Sequence, residues 1–193
     1  MRGLVQSDEM WGKYMKIAVY CGSACGTEPD YMAVARELGD WIGRNGHALV
    51  YGGSNTGLMG AVADAVLAHN GKVIGVLPDV PLIHERRHPG LSEYYLMDTM
   101  SARKDRMIEL SDAYIALPGG FGTLDEISDV LCLNRLQLIR KPSVLVNTRG
   151  FYEPVRQLIL NMIDAGFVGG EEMDMLRITD DVEEIAEFVE SFC

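Results

Sequence analysis

Short apolar runs alternate along the chain with longer stretches in which apolar positions recur every three or four residues. The runs at 16–23, 47–53, 72–78, 94–100, 113–118 and 142–147 predict strands, with a shorter one at 176–179. The periodic stretches at 28–46, 58–71, 101–112, about 123–139, 152–166 and 181–192 predict helices. Pro29 near its start and Gly46 at its end bound the first helix. The strand runs are apolar throughout, as strands are when helices cover both sheet faces. Regular alternation of strand and helix predicts an α/β fold: a doubly wound, mainly parallel, Rossmann-like sheet with helices on both faces. No repeat, low-complexity tract or linker interrupts it, so residues 15–193 read as a single domain. Residues 1–14 lack the pattern and read as an N-terminal extension or cloning remnant.

Composition narrows the partners. The chain has 193 residues, 48% of them hydrophobic, with 17 Lys and Arg against 28 Asp and Glu, a net charge of −11. That balance argues against nucleic acid and against an anionic membrane, since both reward basic patches. A small anionic ligand is compatible with it, because one pocket can oppose the global sign. No apolar run is long enough to span a bilayer, and the start has no continuous apolar segment of the secretory kind. Cys21, Cys25, Cys132 and Cys193 form no paired framework and read as reduced thiols of a cytoplasmic protein.

Candidate chemistry gathers at the predicted strand ends, where ligands bind in sheets of this kind. Glycine clusters follow the first strand (Cys-Gly-Ser-Ala-Cys-Gly, 21–26), the second (Gly-Gly-Ser-Asn-Thr-Gly, 52–57) and the strand at 113–118 (Pro-Gly-Gly-Phe-Gly, 118–122). Three clusters on one sheet edge favour a backbone that approaches a ligand closely. In the third, the N–H groups of Gly119, Gly120, Gly122 and Thr123 can face an anion at a helix N-terminus. The spacing is neither G-x-G-x-x-G nor a P-loop, so a monophosphate is the simpler guest. Glu126 admits two readings: the capping partner of Thr123, or a group that handles sugar hydroxyls or a developing cation. Asp125 and Asp129 suit the helix dipole. Arg103 offers a planar fork for phosphate or carboxylate, and Lys104 a flexible point charge.

His84-Glu85-Arg86-Arg87-His88 matches the H-E-x-x-H zinc pattern, but Pro81 and Pro89-Gly90 leave barely a helical turn and no third ligand follows. The match reads as coincidence, with no metal. His47 and His69 read as ordinary surface or helix-end residues.

Pro118-Gly-Gly-Phe-Gly-Thr-Leu-Asp-Glu126 resembles the P-G-G-x-G-T-x-x-E signature of the Lonely Guy (LOG) family, phosphoribohydrolases of cytokinin riboside 5′-monophosphates. Further likeness lies at 18–26, 50–60, 73–78 and 102–107, so the resemblance covers nearly all of 16–190. It implies hydrolysis of the N-glycosidic bond of a nucleoside 5′-monophosphate, AMP or an N6-modified AMP, to free base and ribose 5-phosphate. It implies Arg103 and Glu126 as the catalytic pair. As substrate-binding residues it implies Glu85, Arg103, Lys104 and the run Gly119, Gly120, Phe121, Gly122, Thr123, Leu124, Asp125 and Glu126. It implies no cofactor, and a homodimer with sites near the interface. Ser101 and Ala102 depart from the family pattern, as do Cys132, Leu133, Arg135 and Ser54, which puts the preferred base in doubt. The competing reading is a non-catalytic carrier of a nucleotide-like cofactor. The lysine decarboxylase label once given to such chains fits poorly, because none of the five lysines sits in a recognisable pyridoxal-phosphate motif.

Overall fold

The structure, a computed structural model, describes residues 14–81 and 86–192. Seven strands form one sheet among them: β1 (Lys16–Tyr20), β2 (Ala48–Tyr51), β3 (Lys72–Pro78), β4 (Glu93–Met97), β5 (Ala113–Ala116), β6 (Ser143–Val146) and β7 (Leu176–Thr179). Among the described residues, six α-helices lie between and after them: α1 (Pro29–Arg44), α2 (Gly57–Ala68), α3 (Met100–Leu110), α4 (Phe121–Arg135), α5 (Glu153–Asp164) and α6 (Val182–Glu190). All six strand pairings are parallel, in the order β4-β3-β2-β1-β5-β6-β7. The expected doubly wound sheet is therefore present.

The topology fixes where a ligand can sit. The first four strands are laid down outward from β1; the chain then returns to the other side of β1 and continues through β7. Ile17 consequently has Leu49 on one flank and Ala113 on the other. The connections leave β1 and β5 in opposite directions, which opens a crevice beyond their carboxyl ends.

The pleat divides β1 between two cores. Ile17 and Val19 pack with residues of α1, α2 and α6, while Ala18 and Tyr20 pack with residues of α3 and α4. Aliphatic side chains dominate both layers, with Tyr20, Tyr51 and Tyr114 among them, and β1, β2, β5 and β6 are buried along nearly their whole length, which explains why these strands read as unbroken apolar runs. Local signals set the helix ends. Thr99 caps α3 by accepting from the Ala102 N–H at 3.1 Å, Asp181 caps α6 through Glu183 and Glu184, and Gly46 stops α1 with φ +71°.

Three details depart from the sequence expectations. α4 starts at Phe121, ahead of Thr123, and ends at Arg135 rather than near 139. Two 3₁₀ turns, Thr148–Gly150 and Gly170–Met175, were not foreseen. His47 follows a helix end, its N–H closing α1 on the Ile42 carbonyl at 3.0 Å, but it is not on the surface. It lies just before β2, 1% exposed, with Nδ1 accepting from the Met15 N–H at 3.4 Å and the Trp41 ring 5.4 Å away. His69 does sit at the end of α2, bonded to Asp40 at 2.9 Å.

Candidate active site

The three glycine loops meet at the crevice. In the loop after β1, the Gly22 N–H donates to the Pro118 carbonyl at 3.2 Å, tying it to the loop after β5. The Leu58 N–H at the head of α2 donates to Ala24 O at 3.4 Å, which brings in the loop after β2. Gly119 lies against both its neighbours: a Cβ there would stand 2.1 Å from Thr123 Oγ1 and 3.0 Å from the Gly22 nitrogen. Gly120 and Gly122 differ, since a Cβ on either meets nothing within 4 Å. No side chain caps α4 at Gly120, so the first-turn N–H groups have no capping side chain there. Phe121, 92% exposed, stands outside the helix packing altogether.

Arg103 and Glu126 come together beside that loop. Both lie on the buried stripes of their helices. Arg103 shares the inner face of α3 with Met107, and Glu126 shares that of α4 with Thr123, Ile127 and Val130. Their side chains are 8% and 9% exposed, and Arg103 Nη1 donates to Glu126 Oε1 at 2.5 Å. Arg103 Nε donates to the Val76 carbonyl at 2.9 Å, which anchors the guanidinium to the end of β3. Gly52 makes room for it, since a Cβ there would lie 2.7 Å from Arg103 Nη2. Burial pushes the Glu126 carboxyl above the usual carboxylate range, opposed by the Arg103 guanidinium.

The capping-box reading of Glu126 is thereby corrected. With Gly120 as N-cap, Thr123 is the third helical residue and Glu126 is too far along to serve the helix start. The carboxylate turns inward to Arg103 instead. Sequence reasoning had one usable signal for this: a charged residue on the apolar stripe of each helix. It had none for the Val76 carbonyl, which only the sheet brings near.

Lys104, next to Arg103, also reaches α4. Its Nζ lies 2.9 Å from Asp125 Oδ1 and 2.6 Å from Asp129 Oδ2. Each acidic group crowded at the start of α4 thus has a basic partner: Glu126 has Arg103, and the two aspartates share Lys104. Leu124 points elsewhere, into the wall of an open cavity of about 1040 Å³ between α4 and α5, with Ile127, Leu131 and Ile159.

His84 and Glu85 lie outside the described residues, so the expected Glu85 contact has no structural placement. Their neighbours bind the loop after β2: the Asn55 N–H donates to Arg86 O at 2.9 Å and the His88 N–H to Gly53 O at 2.8 Å. His88 is fully occupied, Nε2 lying 3.0 Å from Asp64 Oδ1 and Nδ1 accepting from the Gly90 N–H at 3.0 Å.

Residues 59–189 match the family model described as "Possible lysine decarboxylase". The chain is 39% identical over 168 residues to a cytokinin riboside 5′-monophosphate phosphoribohydrolase of Rhodococcoides fascians, covering 86% of this chain and 85% of that one. Against proteins of the same name, identity is 37% for Mycobacterium tuberculosis (87% and 89% coverage) and 34% for LOG7 of Arabidopsis thaliana (96% and 85%). Among solved structures, the molybdenum cofactor carrier protein of Chlamydomonas reinhardtii superposes with a TM-score of 0.71 over 93% of this chain and 98% of that one, at 23% identity. The molybdenum cofactor binding protein of Rippkaea orientalis does so with a TM-score of 0.71 over 93% and 97%, also at 23% identity, a likeness of fold alone. With the family model matched over most of the chain and relatives at 34–39% identity over most of their own length, this chain belongs to the LOG family.

Proposed function

We propose that the protein hydrolyses the N-glycosidic bond of a nucleoside 5′-monophosphate, AMP or an N6-modified AMP, releasing free base and ribose 5-phosphate. The observation that carries this reading is the buried Arg103–Glu126 pair beside an open, glycine-lined helix N-terminus. The relatives named as phosphoribohydrolases of such nucleotides support the substrate class.

In this reading the phosphate sits against the first turn of α4, where Gly119 to Thr123 present backbone N–H groups and the positive end of the helix dipole. Anchoring the phosphate there spends remote binding energy at the sugar. As the bond between C1′ and the base nitrogen breaks, the ribose acquires oxocarbenium character, and Glu126 stabilises that charge and contacts the ribose hydroxyls. Water adds at C1′ and the base leaves with a proton. Arg103 favours the ionised form of Glu126 against the opposing effect of burial and contributes its remaining N–H groups to the phosphate or sugar. Glu85 is assigned to substrate on the resemblance.

The reading also includes a homodimer. No residue of α5 is buried, while Leu158 is 52% exposed, Leu160 44% and the following Phe167 72%. An amphipathic helix with nothing buried is incomplete in one chain, and a second copy across the cavity between α4 and α5 would complete it. The cytoplasm suits Cys21, Cys25 and Cys132, which are free thiols.

The test is chromatographic detection of free base after incubation with AMP and with isopentenyladenosine 5′-monophosphate, alongside the unphosphorylated nucleosides and Glu126→Gln. Base is expected from the monophosphates only, and not with the variant. Tight binding of both nucleotides with no base released by the wild type sinks the hydrolase reading and favours a carrier.

A further inference from the structure

His88 closes the H-E-x-x-H match of the sequence and is 6% exposed, with both ring nitrogens taken within the chain. Resting on the hydrolase reading above, we infer that His88 is a positioning residue for the reaction. Through the loop after β2 it fixes the wall against which the Arg103 guanidinium lies, and it contacts no substrate itself.

The ring is held in one tautomer. Nδ1 accepts from the Gly90 N–H at 3.0 Å, so that nitrogen carries no proton. Nε2 therefore bears the proton and donates to Asp64 Oδ1 on α2, also at 3.0 Å. Gly90 packs closely on the same ring, since a Cβ there would stand 3.2 Å from His88 Cε1. A buried ring bonded at both nitrogens has no donor or acceptor left for a nucleotide.

The main chain carries the effect to the site. The His88 N–H donates to Gly53 O at 2.8 Å, and the Asn55 N–H donates to Arg86 O at 2.9 Å. Between them Ser54 and Arg87 form an antiparallel bridge. Residues 53–55 thus pair with 86–88, and the His88 ring ties that strip to α2. Gly52 and Gly53 have no side chains to hold them, and Gly53 takes φ +79°. Gly52 lies so near Arg103 that a Cβ on it would stand 2.7 Å from Nη2. A Cβ on Gly53 would stand 2.7 Å from Leu77, the neighbour of Val76, whose carbonyl anchors Arg103 Nε. Freeing the strip lets both glycines shift, and the guanidinium loses the wall that aims Nη1 at Glu126. The glycine loop before α4 is tied to the loop after β1 instead, so phosphate anchoring is spared.

His69 is the internal control. It also bonds an aspartate through Nε2, Asp40 at 2.9 Å, but it follows the end of α2 that leads into β3, at the opposite edge of the sheet from the glycine loops.

The experiment compares the full-length protein with His88→Ala, Asp64→Ala, the double variant and His69→Ala. The readouts are kcat and KM for base release from AMP, thermal melts, and hydrogen exchange of the Arg103 Nε–H by NMR, assigned by its absence in Arg103→Lys. His88→Ala is expected to lower kcat about 10- to 100-fold while KM stays within about twofold of wild type. Its Arg103 Nε–H is expected to exchange about tenfold faster. Asp64→Ala is expected to change both in the same direction, and the double variant to be no worse than His88→Ala, because the two residues act as one unit. The Asp64 side chain is 73% exposed, so Asp64→Ala opens no core and carries the test if His88→Ala fails to fold. His69→Ala is expected to melt lower and to keep wild-type kcat and exchange. A raised KM with kcat retained in His88→Ala, as a substrate contact gives, overturns the inference. So does wild-type exchange of the Arg103 Nε–H in His88→Ala, or an equal loss of kcat in His69→Ala. If wild type releases no base, the hydrolase reading fails, and the Arg103 exchange rates still decide the role of His88.

Discussion

Gly119 in the loop and Gly122 in the helical turn that follows separate the fold from the proposed ligand. Gly119→Ala places a Cβ 2.1 Å from Thr123 Oγ1 and 2.7 Å from Thr123 Cβ, so either the loop or the first turn of α4 must shift. Overpacking of this kind costs about 1–3 kcal/mol. In a chain of this length each kcal/mol moves Tm by about 2–4 °C, so the variant should melt roughly 2–12 °C lower. Gly122→Ala meets nothing within 4 Å and lies in the first turn of a helix. Alanine gains about 0.5 kcal/mol there over glycine, so Tm should rise by about 1–2 °C. The same methyl occupies the space in which a phosphate oxygen would meet the helix N-terminus. Losing one charge-assisted hydrogen bond costs about 1.5–3 kcal/mol, or roughly a 10- to 100-fold drop in kcat/KM for a nucleoside monophosphate. Differential scanning calorimetry and initial-rate kinetics on both variants check the pair. A Gly122→Ala protein that is more stable and retains wild-type kcat/KM would falsify the placement of the phosphate at this loop.

Arg103→Met leaves Glu126 buried without its cation, so its carboxyl rises further. The stability deficit against wild type should be smallest in acid, where Glu126 is neutral, and should widen as pH rises through its raised range; melts at pH 5 and pH 8 measure this. Burial lowers the His47 pKa against the opposing pull of Glu190, so the unfolded chain binds the proton more readily. The stability His47 contributes is present above about pH 6.5 and is lost as pH falls through its lowered folded value, and His47→Gln should flatten the melting temperature across that window. Leu158→Glu on the exposed face of α5 should convert a dimer to a monomer in light scattering, while wild-type monomer at the same concentration refutes the proposed interface.

The strands and the convergence of glycine loops were legible because burial on both sheet faces imposes a continuous apolar run, and because parallel strands send all their following loops to one edge. The start of α4 was not. A glycine N-cap followed by an almost fully exposed Phe121 has the local propensities of a loop, so the sequence pattern starts the helix at Thr123 and offers Glu126 a capping role. Once the helix begins at Phe121, that role disappears. The partner of Glu126 lies 23 residues back on another helix, a distance no periodicity spans. His47 shows the reverse limit: its burial comes from Trp41 and Met15 folding over it, which a solitary histidine in the sequence does not announce. α5 was readable as an amphipathic helix, and its pattern gave no sign that none of its residues would be fully buried, Val155 and Ile159 being only partly covered by the core.

The pairing of β5 with β1 has a consequence for the order of events in the life of the molecule. Ile17 and Ala113 are brought side by side only after all of β2, β3 and β4 have been made, and the loop that Gly22 ties to Pro118 waits on that closure. Arg103 waits too, since its anchor, the Val76 carbonyl, belongs to the first half of the chain while Glu126 belongs to the second. Long-range pairings of this type are slow to form because the entropy of closing the intervening chain precedes any reward. A nascent or partly folded chain can therefore hold a finished β1–β4 half with no Arg103–Glu126 pair at all. Enzymatic competence arrives late and all at once, so base release during refolding is a clock for the closure of the sheet.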